Sequence, residues 1–128
     1  MKVLVVDVGG THVKILATGK KLHREFTSGP TLTAEQMVPR VKALAGTWKY
    51  DVVSLGYPGP VLHGRPVAEP HNLARGWVGF DYRAAFGCPI KIINDAAMQA
   101  LGVVNDHVAG CHFGDVARSE RARVRIPI

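Results

Sequence analysis

Two short β-branched apolar runs, Val3 to Val6 and Val13 to Thr18, flank the segment Asp7-Val8-Gly9-Gly10-Thr11-His12. This pairing constrains the fold more than any other feature, because strand-length apolar runs joined by glycines read as a β-hairpin. Gly9 and Gly10 are expected to supply the positive φ angles of a tight turn. Lys20 and Lys21 suggest a polar turn before a third strand around Leu22 to Phe26. Thr33 reads as the N-cap of a helix through Leu44, since Gln36 lies three residues on and Met37, Val41 and Leu44 recur at helical spacing. Pro39 falls inside that span and either kinks the helix or moves its start. Asp51 to Gly56 is the next strand, and the Pro58-Gly59-Pro60 cluster must take the chain out of the sheet. Leu62 to Gly79 lacks a period of its own and reads as a functional loop or lid. Ala84 to Phe86 suggests a helical turn and Pro89 to Ile93 a strand, after which Asn94-Asp95 leads into the helical AAMQAL, with Asp95 near its N-terminus. The order of elements predicts an α/β domain with a mixed sheet.

The size of 128 residues argues for one domain, and 47% hydrophobic with 20% charged residues is ordinary for a chain with a real core. The opening apolar run is broken by Asp7, and nothing later reaches about 18 apolar residues, so no membrane partner is expected and the cytoplasm is the default location. Cys88 and Cys111 cannot build a disulfide scaffold and fit a reducing compartment. The net charge of +6 favours an anionic partner. Residues 1–102 hold 12 basic and 7 acidic side chains, against 4 and 3 in residues 103–128, so the excess is not a basic tail. With dispersed charge and 7% aromatics, the chain lacks the stacking platform of a nucleic-acid binder. A phosphate-bearing small molecule or a polyanion fits better.

The segment Asp7 to Lys14 carries the strongest chemical signal. Two glycines expose successive backbone N–H groups and admit a phosphate closely, Thr11 adds a hydroxyl, and Lys14 a cation. Asp7, at a strand end, could hold a hydrated Mg²⁺ against that phosphate. A plain polar hairpin turn would show Gly-Gly as well, but not the whole set. Neither a Walker A loop nor G-x-G-x-x-G is present. Asp95, at a strand-to-helix junction, is kept anionic by backbone N–H groups and can take the proton of a substrate hydroxyl, although a simple cap would look the same. In the loop, Glu69, His71 and Asn72 could hydrogen-bond a polyhydroxylated ligand, and Trp77 could stack on a sugar face. Cys111, His112 and Asp115 lack structural-zinc spacing. His23, His63 and His107 are most simply solvated.

Taken in order, DVGGTHVK, SLGYPGPV, EPHNLARGWVGFD and INDAAMQALG resemble the N-terminal domain of the ROK family of sugar kinases, over residues 2–102. The polyphosphate-dependent glucokinase branch is the most similar. The resemblance implies an actin-like, ribonuclease-H-like lobe and phosphoryl transfer from ATP or polyphosphate to the 6-hydroxyl of glucose or a related hexose. It implies that Asp7, Gly9, Gly10, Thr11 and Lys14 face the donor phosphates, with Mg²⁺ beside Asp7. Asp95 is then the base, Asn94 and Asn72 bind sugar hydroxyls together with Asp95, and Pro58-Gly59 shapes that site.

After Gly102 the resemblance stops. Residues 103–128 lack the second glycine-rich loop and the Glu-x-Gly-His segment that the family would show, and read as a divergent tail from a shifted frame or early stop. The expectation is therefore a truncated lobe, inactive alone, that either associates as a homodimer or complements a separate C-terminal half. A non-catalytic sugar or phosphate-binding module is the alternative.

Overall fold

The computed structural model describes residues 1–95. Its centre is a five-stranded mixed sheet of β1 (Val3–Val8), β2 (His12–Ala17), β3 (Arg24–Thr27), β4 (Val52–Tyr57) and β7 (Ile90–Asn94), in the order β3-β2-β1-β4-β7. The first three strands form an antiparallel meander, and β1, β4 and β7 run parallel. This is the expected α/β class with a mixed sheet, each strand lying within two residues of its sequence-based bounds.

Alternation along the strands sends Leu4, Val6, Val8, Val13, Ile15, Val53 and Leu55 to one face. There they meet Met37, Val38 and Val41 of α1 (Ala34–Ala45) and Phe86 of α2 (Tyr82–Phe86) in one core. Thr33 caps α1 with a complete capping box: its hydroxyl accepts from the Gln36 N–H, and the Gln36 side chain accepts from the Thr33 N–H. Pro39 neither ends nor delays the helix; it sits inside on the exposed side. Asp81 caps α2, and Gly87 closes it in the left-handed conformation.

The segment following Pro58 contains a small hairpin, β5 (Val61–Leu62) with β6 (Arg65–Pro66), where the sequence predicted only a loop. Two-residue strands are too short to show a period, which is why they were not legible. Asp95 is helical immediately after β7; the AAMQAL helix, Cys111, His112, Asp115 and the tail lie outside the described residues. No helix among the described residues is long and apolar enough to cross a membrane.

Candidate functional site

Parallel strands deliver their C-terminal ends to one edge of the sheet, where ligands of open α/β sheets generally bind. At this edge Asp7 of β1 is in register with Gly56 of β4, and Tyr57 of β4 with Asn94 of β7. The β1–β2 turn, the Pro58-Gly59 turn and the Asn94-Asp95 junction therefore converge although they lie far apart in sequence.

Asn94 is tied to the Pro58-Gly59 turn directly, its Nδ2 donating to the Gly59 carbonyl oxygen at 2.6 Å. A Cβ on Gly59 would stand 2.9 Å from Cε2 of Tyr57, so only glycine lets the turn fold down over that ring. Tyr57 is fully buried and donates its hydroxyl to the Ala68 carbonyl at 2.6 Å. Burial, with the negative charge of Glu69 second, pushes its phenol up to about 12.

The β1–β2 turn departs from expectation in one respect. Neither Gly9 nor Gly10 has a positive φ. Both instead sit in close approach: a Cβ on Gly9 would lie 3.0 Å from the His12 carbonyl oxygen, and one on Gly10 would lie 3.0 Å from Cβ of Asn72. The Gly10 contact places Asn72, exposed on its loop, against the turn. Ser28 fixes the turn from β3, donating its hydroxyl to the Gly9 carbonyl at 2.8 Å and its N–H to the Thr11 carbonyl at 2.9 Å. Sequence reasoning missed Ser28; its place in the Ser-Gly-Pro segment ending β3 was the available signal. Thr11 is exposed, and Asp7 is 8% exposed directly across the strand pair from Lys14.

Two loop residues have other duties. Trp77 is fully buried against Tyr57, with ring centroids 6.1 Å apart, so it has no face to stack on a sugar. Its apolar bulk makes it the anchor of the loop. The carboxylate of Glu69 accepts from the N–H groups of Trp77 at 3.0 Å and Val78 at 3.1 Å, which holds the loop closed. His71 stays exposed. His23 is exposed, and its Nε2 lies 3.2 Å from Glu25. Cys88 is a free, half-buried thiol whose pKa is raised, burial being the main cause.

The Gly9 N–H is used within the turn, donating to the His12 carbonyl at 2.9 Å, so the arrangement can offer the N–H groups beyond it, a hydroxyl, a lysine and a carboxylate at one turn, and an amide and a carboxylate beside a shaped turn two strands away. A single carboxylate next to a phosphate cradle fits Mg²⁺, which keeps much of its water and takes few protein ligands.

No protein-family model and no curated protein matches the chain by sequence. Solved structures do. A ROK family glucokinase from Streptomyces griseus, in complex with glucose and AMPPNP, superposes with a TM-score of 0.63 at 23% identity, over 80% of this chain and 36% of that one. A ROK hexokinase from Thermus thermophilus gives 0.60 at 27% identity, over 80% and 38%. A ROK family protein from Streptococcus pneumoniae, in complex with sucrose, gives 0.61 at 19% identity, over 83% and 39%. The chain has the mixed α/β, actin-like fold of ROK sugar kinases, and spans less than two fifths of the length of these three structures.

Proposed function

We propose that the chain is the N-terminal lobe of a ROK family sugar kinase that transfers a phosphoryl group from ATP or polyphosphate to the 6-hydroxyl of glucose or a related hexose. Residues 1–102 form that lobe in this reading, and residues 103–128 form a divergent tail. The observation that carries it is the Asn94–Gly59 hydrogen bond at the edge shared with Asp7. That bond ties the Asn94-Asp95 junction to the Pro58-Gly59 turn, and the parallel register brings both to the edge that carries the β1–β2 turn. The structural likeness to sugar kinases, one of them in complex with glucose and AMPPNP, supports the same reading.

In this reading the turn N–H groups beyond Gly9, whose own N–H is bonded to the His12 carbonyl, receive the donor phosphates with the Thr11 hydroxyl and the Lys14 ammonium. Asp7 would be the residue that holds Mg²⁺, which would supply charge neutralisation to the transferring phosphoryl group. Asn94 and Asn72 orient sugar hydroxyls over the Pro58-Gly59 turn. Asp95 accepts the proton of the attacking hydroxyl. The net charge of +6 suits a polyanionic donor, and a reducing, cytoplasmic setting suits the free thiol of Cys88. Transfer depends on positioning from both sides of a cleft, so a complementing C-terminal half, or a second copy, completes the enzyme.

The test is formation of glucose 6-phosphate from glucose and either donor with Mg²⁺, by the 128-residue chain alone and mixed with a ROK C-terminal half. The expected result is negligible turnover alone and turnover in the mixture. Asp95→Asn should lower kcat by roughly a hundredfold or more, with a smaller change in the KM for glucose. A mixture as active with Asp95→Asn as without it would remove Asp95 from the chemistry. A lack of glucose-induced NMR shifts at Asn94, Gly59 and Asn72 would remove the sugar site.

A further inference from the structure

On the sheet face that carries Asp7 and Lys14, β2 and β3 bring three more titratable groups together. The antiparallel register sets Lys14 opposite Glu25 and His12 opposite Thr27. Glu25 lies between two imidazoles: its Oε1 is 3.2 Å from Nε2 of His23 and its Oε2 is 3.7 Å from Nε2 of His12. The other nitrogen of His12, Nδ1, is 3.2 Å from Oγ1 of Thr11, the hydroxyl that ends the glycine turn. His23, Lys14 and Asp7 line one small cavity of about 10 Å³, room for about one water. Among the described residues, the charged and titratable groups on this side of His12 are therefore Lys14 on its own strand, Glu25 on β3, His23 just before β3, and Asp7 on β1. Arg24 turns to the opposite face, where it donates to the Leu44 carbonyl and covers the Trp48 ring.

We infer that His12 is a positioning residue that acts as a proton-operated switch on Thr11, turning the Thr11 hydroxyl toward a donor phosphate when the imidazole is protonated. The inference rests on the reading of the β1–β2 turn as a phosphate-donor site.

Hydrogen-bond bookkeeping gives the mechanism. A neutral imidazole carries one N–H, and the negative charge of Glu25 beside Nε2 favours that nitrogen as its place. Nδ1 is then an acceptor, so the Thr11 hydroxyl donates to it and offers its lone pairs outward, where a phosphate oxygen is repelled. An imidazolium carries an N–H on both nitrogens. Nδ1 then donates to Thr11 Oγ1, and the hydroxyl proton is released to point at the ligand. One proton on His12 thus reverses a hydrogen bond and adds a positive charge one residue from the turn. With His12 and His23 both neutral the His12–Glu25–His23 group carries one negative charge, and with both protonated one positive charge. The group can therefore repel or attract a chain of phosphates.

The test uses the 128-residue chain and inorganic tripolyphosphate, with affinity measured by calorimetry at about pH 6 and about pH 8. The probe itself gains charge as pH rises, so wild type is compared with His12→Gln at each pH. Wild type should bind roughly fivefold tighter than His12→Gln at the lower pH and about equally at the higher, the size expected for one exposed charge-assisted contact. Thr11→Val should abolish the difference. A wild-type to His12→Gln ratio that is the same at both pH values, with binding still lost in Lys14→Met, overturns the switch and leaves the donor site standing. Binding unaffected by Lys14→Met and Thr11→Val at either pH overturns the donor reading and the switch with it. Far-UV circular dichroism confirms that each variant is folded.

Discussion

At the scale of single residues, Gly59 shows how a missing side chain can hold a site open. Its neighbour Tyr57 cannot move aside, being fully buried, tied to the Ala68 carbonyl and packed against Trp77. Gly59→Ala would force a Cβ to 2.9 Å from that ring. The expected cost is about 2 kcal/mol, typical of overpacking, read as a lower urea midpoint at unchanged m. The same substitution should displace the Gly59 carbonyl from Asn94. Gly9 and Gly10 teach a related lesson. Their presence was legible in the sequence as a turn signal, but the reason for them was not. The backbone needs no left-handed angle there; it needs space beside His12 and Asn72. Sequence spacing identifies a glycine, and only packing tells which of its two uses applies.

At the scale of elements, α1 was the most legible piece. Its capping box, apolar period and C-terminal glycine all act within a few residues, so the sequence alone fixed Thr33 as its cap. Thr33→Ala should lower stability by about 1 kcal/mol. Pro39 works against the helix, lacking the N–H that would bond to Glu35 while its ring is exposed to solvent. Pro39→Ala should therefore raise stability by about 2 kcal/mol, again measured as a shift in the urea midpoint. A fall instead would mean that the helix already accommodates the ring. Residues 58–79 were the least legible. Their order comes from the Glu69 carboxylate on the Trp77 and Val78 amides and from the burial of Trp77, contacts whose partners lie on other elements or several residues away.

At the scale of the whole molecule, the two phenols of Tyr57 and Tyr82 link the fold to pH. Both are raised by burial first: Tyr57 to about 12, and Tyr82 also upward, its hydroxyl bonded to the Trp77 carbonyl. A tyrosine is neutral when protonated, so a raised pKa in the folded state means that the unfolded chain ionises first, from about pH 10. Their contribution is complete below about pH 10 and is lost as pH rises toward 12. The urea midpoint should accordingly stay level on this account up to about pH 10 and decline above it, with absorbance near 295 nm showing late tyrosine ionisation.

The α/β class, the chain order of the five sheet strands and the two helices, and the cap of α1 were all readable from the residues alone. Strand alternation, helical period and capping are local, written in residues within a turn or two of each other. Only the tertiary structure decided that Trp77 anchors the core instead of facing a ligand. It alone set Asn94 on the Gly59 carbonyl 35 positions away, Asn72 against Gly10, and Ser28 under the β1–β2 turn. Parallel register sets the Asn94–Gly59 approach, the antiparallel β2–β3 register sets Ser28, and close packing of the 58–79 loop sets Trp77 and Asn72, all of them chosen by how the sheet pairs and one core is filled rather than by any local run of residues.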